Sequence, residues 1–178
     1  MNPEINDEQL MQAAANGDLD AFNQIVLRHQ AVAWSLAWRF LGDSMEAEDV
    51  AQEAFLKILE AAPRYRPKAS FRIYLYRVVT RLCIDWSRKK RPTYADPLPD
   101  IRDPALSPAE NLLAKERRSE IRGVLDILPP NQRMAIILRH YDGLSYTEIA
   151  ETLEVTVKAV ERLISRARAG LRIHWKEL

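Results

Sequence analysis

A single cysteine, Cys83, in 178 residues leaves no partner for an internal disulfide, so the fold must be held by packing. That usage also fits a reducing compartment. Glycine is scarce at five residues, several of them at the ends of helical patterns, which argues for a mostly helical chain. No glycine-rich loop of the phosphate-cradling kind occurs. No apolar run approaches the roughly 18 residues of a membrane span, and the acidic opening MNPEINDEQL has no apolar segment, so neither membrane insertion nor a signal peptide is expected. His29, His140 and His174 lie far apart without metal-ligand spacing, and Cys83 has no histidine near it in sequence. No catalytic residues, metal or cofactor are therefore expected. Cys83, between Leu82 and Ile84 in a helical pattern, is expected to pack in a core. His140 is expected to pack at a helix end, and His29 to lie on the surface or between helices.

What is present is charge, unevenly placed. The overall net charge is only +1, yet residues 1–60 carry −8, residues 61–92 carry +9, residues 93–110 carry −3 and residues 111–178 carry +3. An acidic lobe beside a sharply basic segment implies two different partner surfaces.

Periodicity and caps predict an all-α fold of two small helical domains joined by a proline-rich linker. In the first domain, residues 1–91, helices are expected over about 7–15, 21–41, 43–62 and 71–90, with Gly17, Gly42 and Pro63 as stops and Asp18 or Asp20, Asp43 or Ser44, and Ser70 as starts. In the third, Asp49, Gln52 and Glu53 form a polar side while Val50, Phe55, Leu56 and Leu59 look inward. The linker, residues 92–108, holds Pro92, Pro97, Pro99, Pro104 and Pro108 among aspartates and is read as extended. The second domain, residues 109–178, divides into helices at about 109–128, 130–141, 146–153 and 157–175, with Pro130 suited to a helix N1 position.

Leu144 to Arg172 reads as a helix-turn-helix. Ser145 and Glu148 have capping-box spacing, and Ile149, Ala150 and Leu153 share a face. Thr156 is a second N-cap candidate, and Val157, Val160, Leu163, Ile164 and Ala167 recur at helical spacing. Lys158, Arg162, Ser165, Arg166, Arg168 and Arg172 lie mostly off that stripe, where phosphates and base edges of duplex DNA could be met. A plain helical hairpin with a solvated charged face fits the same stretch. Glu154 stands where such turns usually hold glycine, and a left-handed conformation there would cost about 1 kcal/mol.

The basic segment 64–91 interleaves Tyr65, Phe71, Tyr74, Tyr76 and Trp86 with ten cations. Rings stack on unpaired bases and cations track the backbone, so the mixture suits DNA that has been opened. Phe71, Leu75, Val78, Val79 and Leu82 read as core by spacing. Tyr65, in a loop between Arg64 and Arg66, reads as a base contact. Arg77, Arg81, Arg88 and Lys89 share an approximate helical face.

DAFNQIVLRHQ (20–30), EAEDVAQEAFLKIL (46–59), SFRIYLYRVVTRLCIDWSRKKR (70–91), LPPNQRMAIILRHYDGLSYTEIAETL (128–153) and VKAVERLISRARAGLR (157–172) resemble, in order, the two conserved regions of bacterial sigma factors of the sigma-70 family, extracytoplasmic-function (ECF) group. That resemblance implies a non-enzymatic subunit in the cytoplasm that binds core RNA polymerase through its β′ clamp helices and β flap. It implies recognition of the −10 and −35 promoter elements in transcription initiation, and control by an anti-sigma factor. Carried over residue by residue, it implies polymerase binding by Asp49, Gln52, Glu53, Phe55 and Leu56. The −10 element would be met by Tyr65, Arg66, Ser70, Phe71, Tyr74, Arg77, Arg81, Arg88 and Lys89. The −35 element would be met by Arg133, Ser145, Tyr146, Lys158, Glu161, Arg162, Ser165, Arg166 and Arg168. The chain departs from the family pattern at Tyr74, Arg81, Glu154 and in the Val-Lys-Ala-Val that opens the second helix of the turn. The alternative is a conventional helix-turn-helix repressor or activator on duplex DNA, against which the aromatic and basic segment counts.

Overall fold

The computed structural model describes residues 5–66, 69–89, 123 and 125–174, with side chains to 172. The expected linker 92–108 and most of the helix expected at 109–128 lie outside those residues. The described elements are α1 (Asp7–Ala15), α2 (Leu19–Leu41), α3 (Ser44–Ala61), a 3-10 turn (Ala62–Arg64), α4 (Phe71–Lys89), α5 (Pro130–His140), α6 (Tyr146–Leu153) and α7 (Val157–His174). Among the described residues there is no strand, and no described helix is long and apolar enough to cross a membrane.

Local chemistry sets most boundaries. Asn6 and Gln9 form a reciprocal capping box at α1, their side chains accepting from Gln9 N at 2.8 Å and Asn6 N at 3.1 Å. Asp18 caps α2 through Ala21 N at 3.0 Å and Asp43 caps α3 through Glu46 N at 2.9 Å. Gly42 closes α2 at φ 83°, the left-handed conformation that a side chain would oppose. The N-terminus of α4 is completed from a distance: Phe71 N donates to Glu8 Oε1 of α1 at 3.2 Å, whereas Ser70 Oγ sits 3.5 Å from Ile73 N. Ser70 was the expected cap, and Glu8 shares that role because α1 is folded across the bundle.

Helices α1 to α4 pack around Leu10, Met11, Ile25, Leu36, Phe40, Val50, Ile58, Phe71, Leu75, Val79 and Cys83, all nearly or wholly buried. Asp7 fastens α1 to α2, meeting Arg28 at 3.0 Å and His29 Nε2 at 2.7 Å. The His29 ring also lies 5.0 Å from Phe71, so this histidine fills space between helices. Val78 and Leu82 are half-buried, as helix-edge residues. His140 is exposed in the last turn of α5 rather than packed, because its neighbours Ile137 and Leu138 take the inward positions.

The C-terminal helices have a core of Met134, Ile137, Leu138, Ile149, Val160, Ile164 and Ala167. They do not stand apart from the N-terminal bundle. Helix α6 lies along α4, and α5 touches both α2 and α4.

Candidate nucleic-acid interface

Helices α6 and α7 form the expected helix-turn-helix. Ser145 N donates to Glu148 Oε2 at 2.7 Å, and Glu148 N donates to Ser145 Oγ at 3.2 Å. Hydrogen bonding from Ser145, its backbone N–H first and then its side chain, holds the Glu148 carboxyl below its ordinary range. Thr156 Oγ1 accepts from Ala159 N at 3.2 Å and starts α7. Between them Glu154 has φ 55° and ψ 44°, and it alone among the described non-glycine residues has a positive φ.

On α7, Lys158, Glu161, Arg162, Ser165, Arg166 and Arg168 are all exposed, opposite the buried stripe of Val160, Ile164 and Ala167. This is a continuous polar face on a rigid helix, with its N-terminal end open to a ligand. Val157 was expected in the apolar stripe, yet it is 40% exposed. As the first residue of α7 it projects beyond the ground covered by α6. Ser145 spends its hydroxyl on the cap, and Tyr146 is half-buried beneath the Arg139 guanidinium, which lies 5.3 Å from the ring centroid.

Arg133 does not join that face. Its guanidinium donates to Phe40 O at 3.1 Å and Asp126 O at 2.9 Å, and lies 5.2 Å over the Phe40 ring. It bridges the two groups of helices, a position that its sequence neighbourhood does not announce.

The basic segment shows a similar division. Arg66, Ser70, Arg81, Arg88 and Lys89 are exposed and Arg77 is half-buried. Phe71, expected at the −10 surface, is 1% exposed and cannot meet a strand. Its spacing had also marked it as core, and the packing against Tyr74 and His29 realises that reading. Tyr65 packs on Tyr74, ring centroids 5.2 Å apart, and burial raises the pKa of its phenol. The loop and helix thus present a paired aromatic wall beside Arg66 and Arg77.

On α3, Asp49, Gln52 and Leu56 are exposed and Glu53 is half-buried. Leu56 was expected inward, but it follows Asp49 and Gln52 at i+7 and i+4 and shares their outward side. Phe55 is buried and belongs to the core.

Sequence reading missed a cluster joining the two groups of helices. Asp142 Oδ1 accepts from Tyr76 OH at 3.1 Å and from Arg39 at 3.4 Å, while Asp142 O accepts from Arg72 at 3.1 Å. Arg39 also lies 5.2 Å over the Tyr141 ring. Burial pushes the Asp142 carboxyl up, against the opposing pull of Arg39, Tyr76 and Arg72. Nearby, Arg77 donates to Glu151 O at 3.2 Å and Arg81 pairs with the Glu154 carboxylate. An Arg-x3-Arg pattern on α4, Arg77 and Arg81, was the available signal, but only docking assigns the partners.

Among the described residues no group of three His, Cys, Asp or Glu side chains could hold a metal. Cys83 is fully buried and burial raises its thiol pKa, so little reactive thiolate forms. Native protein is therefore expected to resist iodoacetamide, with modification appearing only in denaturant. Rapid alkylation in buffer would show that α4 opens locally.

Comparison with known proteins gives two regions of match. Residues 25–93 match Sigma-70 region 2, and residues 118–171 match Sigma-70, region 4. The RNA polymerase sigma-H factor of Pseudomonas aeruginosa is 34% identical over 176 residues, covering 93% of this chain and 91% of the relative. The ECF RNA polymerase sigma-E factor of Escherichia coli K12 is 33% identical over 187 residues, covering 96% and 95%. Among solved structures, CnrH in complex with the cytosolic domain of CnrY is similar at a TM-score of 0.72, with 30% identity and coverage of 96% of this chain and 97% of CnrH.

Proposed function

This chain belongs to the sigma-70 family, in its ECF group, and from that membership we propose how its surfaces divide the work of transcription initiation. It acts as a promoter-specificity subunit in the cytoplasm, the polymerase supplying the catalysis. Residues 1–91 bind core polymerase and the −10 element, residues 92–108 connect, and residues 109–178 bind the −35 element.

The observation that carries the DNA reading is the exposed face of α7. Lys158, Arg162, Ser165, Arg166 and Arg168 sit on it in a helix-turn-helix whose recognition helix buries Val160, Ile164 and Ala167 on its other side. Such a helix enters the major groove with cations on phosphates and selected side chains on base edges. Glu161 among them can accept from a cytosine amino group. The exposed Asp49, Gln52 and Leu56 on α3 support a protein contact, since an apolar residue 61% exposed within an acidic strip suits a partner with a basic rim. Leu56 would supply the apolar anchor on the β′ clamp helices, with Asp49, Gln52 and Glu53 around it. CnrH is solved in complex with the cytosolic domain of CnrY, and for this chain the partner of that kind is an anti-sigma protein.

The deciding experiment is run-off transcription with purified core polymerase. The chain should direct core to promoters that core alone does not use. Tight duplex binding without any redirection would favour a conventional helix-turn-helix regulator instead.

Tyr65 and Tyr74 are assigned to the opened strand together with Arg66, Ser70, Arg77, Arg81, Arg88 and Lys89. Tyr65→Ala is expected to reduce permanganate reactivity at the −10 element of the holoenzyme while leaving −35 duplex binding close to wild type. Stacking on a base is worth about 1–3 kcal/mol by such truncation. Equal loss in both assays would instead mark Tyr65 as a packing residue alone.

A further inference from the structure

Helix α1 precedes the residues 25–93 that match Sigma-70 region 2, yet it fastens both ends of the loop that displays Tyr65. At the near end α1 packs against the 3-10 turn Ala62–Arg64, which leads into Tyr65. At the far end Glu8 Oε1 accepts from Phe71 N at 3.2 Å, between residues 63 apart in the chain. The Phe71 N–H is one of the donors that a helix start leaves unpaired, and a carboxylate there also meets the positive end of the α4 dipole. Ser70 Oγ reaches Ile73 N only at 3.5 Å, so Glu8 makes the shorter of the two caps.

A second link runs from α1 to the same residue. Asp7 meets His29 Nε2 at 2.7 Å, and the His29 ring lies 5.0 Å from that of Phe71. Arg28 donates to Ile5 O at 2.8 Å and to Asp7 at 3.0 Å, while Leu10, Met11 and Ala14 are buried on the inner side of α1. Helix α1 is thus fixed to the bundle and can brace what it touches.

Tyr65 depends on that brace. Its hydroxyl is buried and has no hydrogen-bond partner among the described residues, so packing holds the ring. Tyr74 supplies one side of that packing, at 5.2 Å between centroids. Burial does most to raise the phenol pKa, and Glu8, Tyr74 and Asp7 add to it, which places the two α1 carboxylates near the ring.

We propose that Glu8 is a positioning residue for promoter opening: by capping α4 from α1 it fixes the far end of the 65–70 loop, and with it the angle at which Tyr65 and Tyr74 meet the opened strand. Glu8 itself touches no DNA. A loop already held in its working shape spares the ordering cost when the strand is captured. This rests on the assignment of Tyr65 to the opened strand.

The test uses the full chain with core polymerase on a promoter that the wild-type holoenzyme opens. Permanganate reactivity of the −10 thymines measures opening, and a gel shift on the −35 duplex of the same promoter measures upstream binding. Glu8→Ala is expected to lower permanganate reactivity about three- to tenfold, as for the loss of a helix cap, with −35 binding close to wild type. Glu8→Gln keeps an acceptor at the same reach and is expected to restore opening. The decisive comparison is Glu8→Ala/Tyr65→Ala. If Glu8 acts through Tyr65, the double variant opens no worse than Tyr65→Ala alone. Additive losses would overturn the proposal, as would wild-type opening by Glu8→Ala or an equal defect in Glu8→Gln. A matching fall in −35 binding would also overturn it, by showing general damage to the fold. If Glu8→Ala unfolds in a thermal melt, Glu8→Asp, one methylene short of Phe71 N but still charged, takes its place with the same expected defect. Normal opening by Tyr65→Ala would instead remove the strand assignment of Tyr65, so the two failures are told apart.

Discussion

Phe40→Ala is expected to lower the melting temperature on the order of 10 °C, with helical circular dichroism retained at low temperature. Phe40 is 1% exposed near the C-terminal end of α2, in the core of the N-terminal bundle. Truncating a buried phenylalanine removes its transfer free energy and leaves a cavity, together worth about 3–5 kcal/mol. For a chain of this size each kcal/mol moves the melting temperature by about 2–4 °C. The ring also lies beneath the Arg133 guanidinium, and the Phe40 carbonyl accepts from the same side chain. The substitution keeps the carbonyl but removes the ring, so Arg133 loses part of its seat and the contact between α2 and α5 weakens. A change of less than about 3 °C in a thermal melt would mean that the surrounding side chains close the cavity.

Arg162→Ala is expected to weaken −35 recognition by about 1–3 kcal/mol, a factor of roughly five to 150, concentrated at one position of the element. Arg162 is exposed on α7, one turn beyond Lys158 and clear of the buried Val160 and Ile164. The informative comparison is Lys158→Ala. A side chain on phosphate weakens all sequences alike and lowers the salt slope by about one, whereas a base reader changes which sequences are preferred. Gel shifts on a set of single-base variants, at two salt concentrations, separate the two. If promoter choice is insensitive to Arg162→Ala, the side chain lies off the base edges.

The helix boundaries of this chain were legible because their causes are local. Asp18, Asp43, Ser145 and Thr156 each act on an amide three residues away. Gly42 and Glu154 end their helices in the left-handed conformation at the places the sequence pattern marks. The inward stripe of α7 was legible for the same reason, except at Val157, where the helix begins beyond its neighbour. Residues chosen by likeness to a motif were less secure when they were also apolar. Phe55 and Phe71 are buried, while Leu56 is exposed, since a motif of adjacent residues spans both sides of a helix.

By itself the sequence determined an all-α chain, its capped helices, its helix-turn-helix and its charge polarity, because each follows from neighbours a few residues apart or from composition, while the ECF sigma family came from the resemblance of its ordered motifs. Only the tertiary structure decided which arginines are available. Arg133, Arg77 and Arg81 look alike in sequence to Arg162 and Arg166, yet the first three are held by groups at least seven residues distant and the last two face solvent. A guanidinium on a long stem bonds to whatever acceptor packing brings within reach. For Arg77 and Arg81 that acceptor comes from Glu151 and Glu154, and only once α6 is laid along α4.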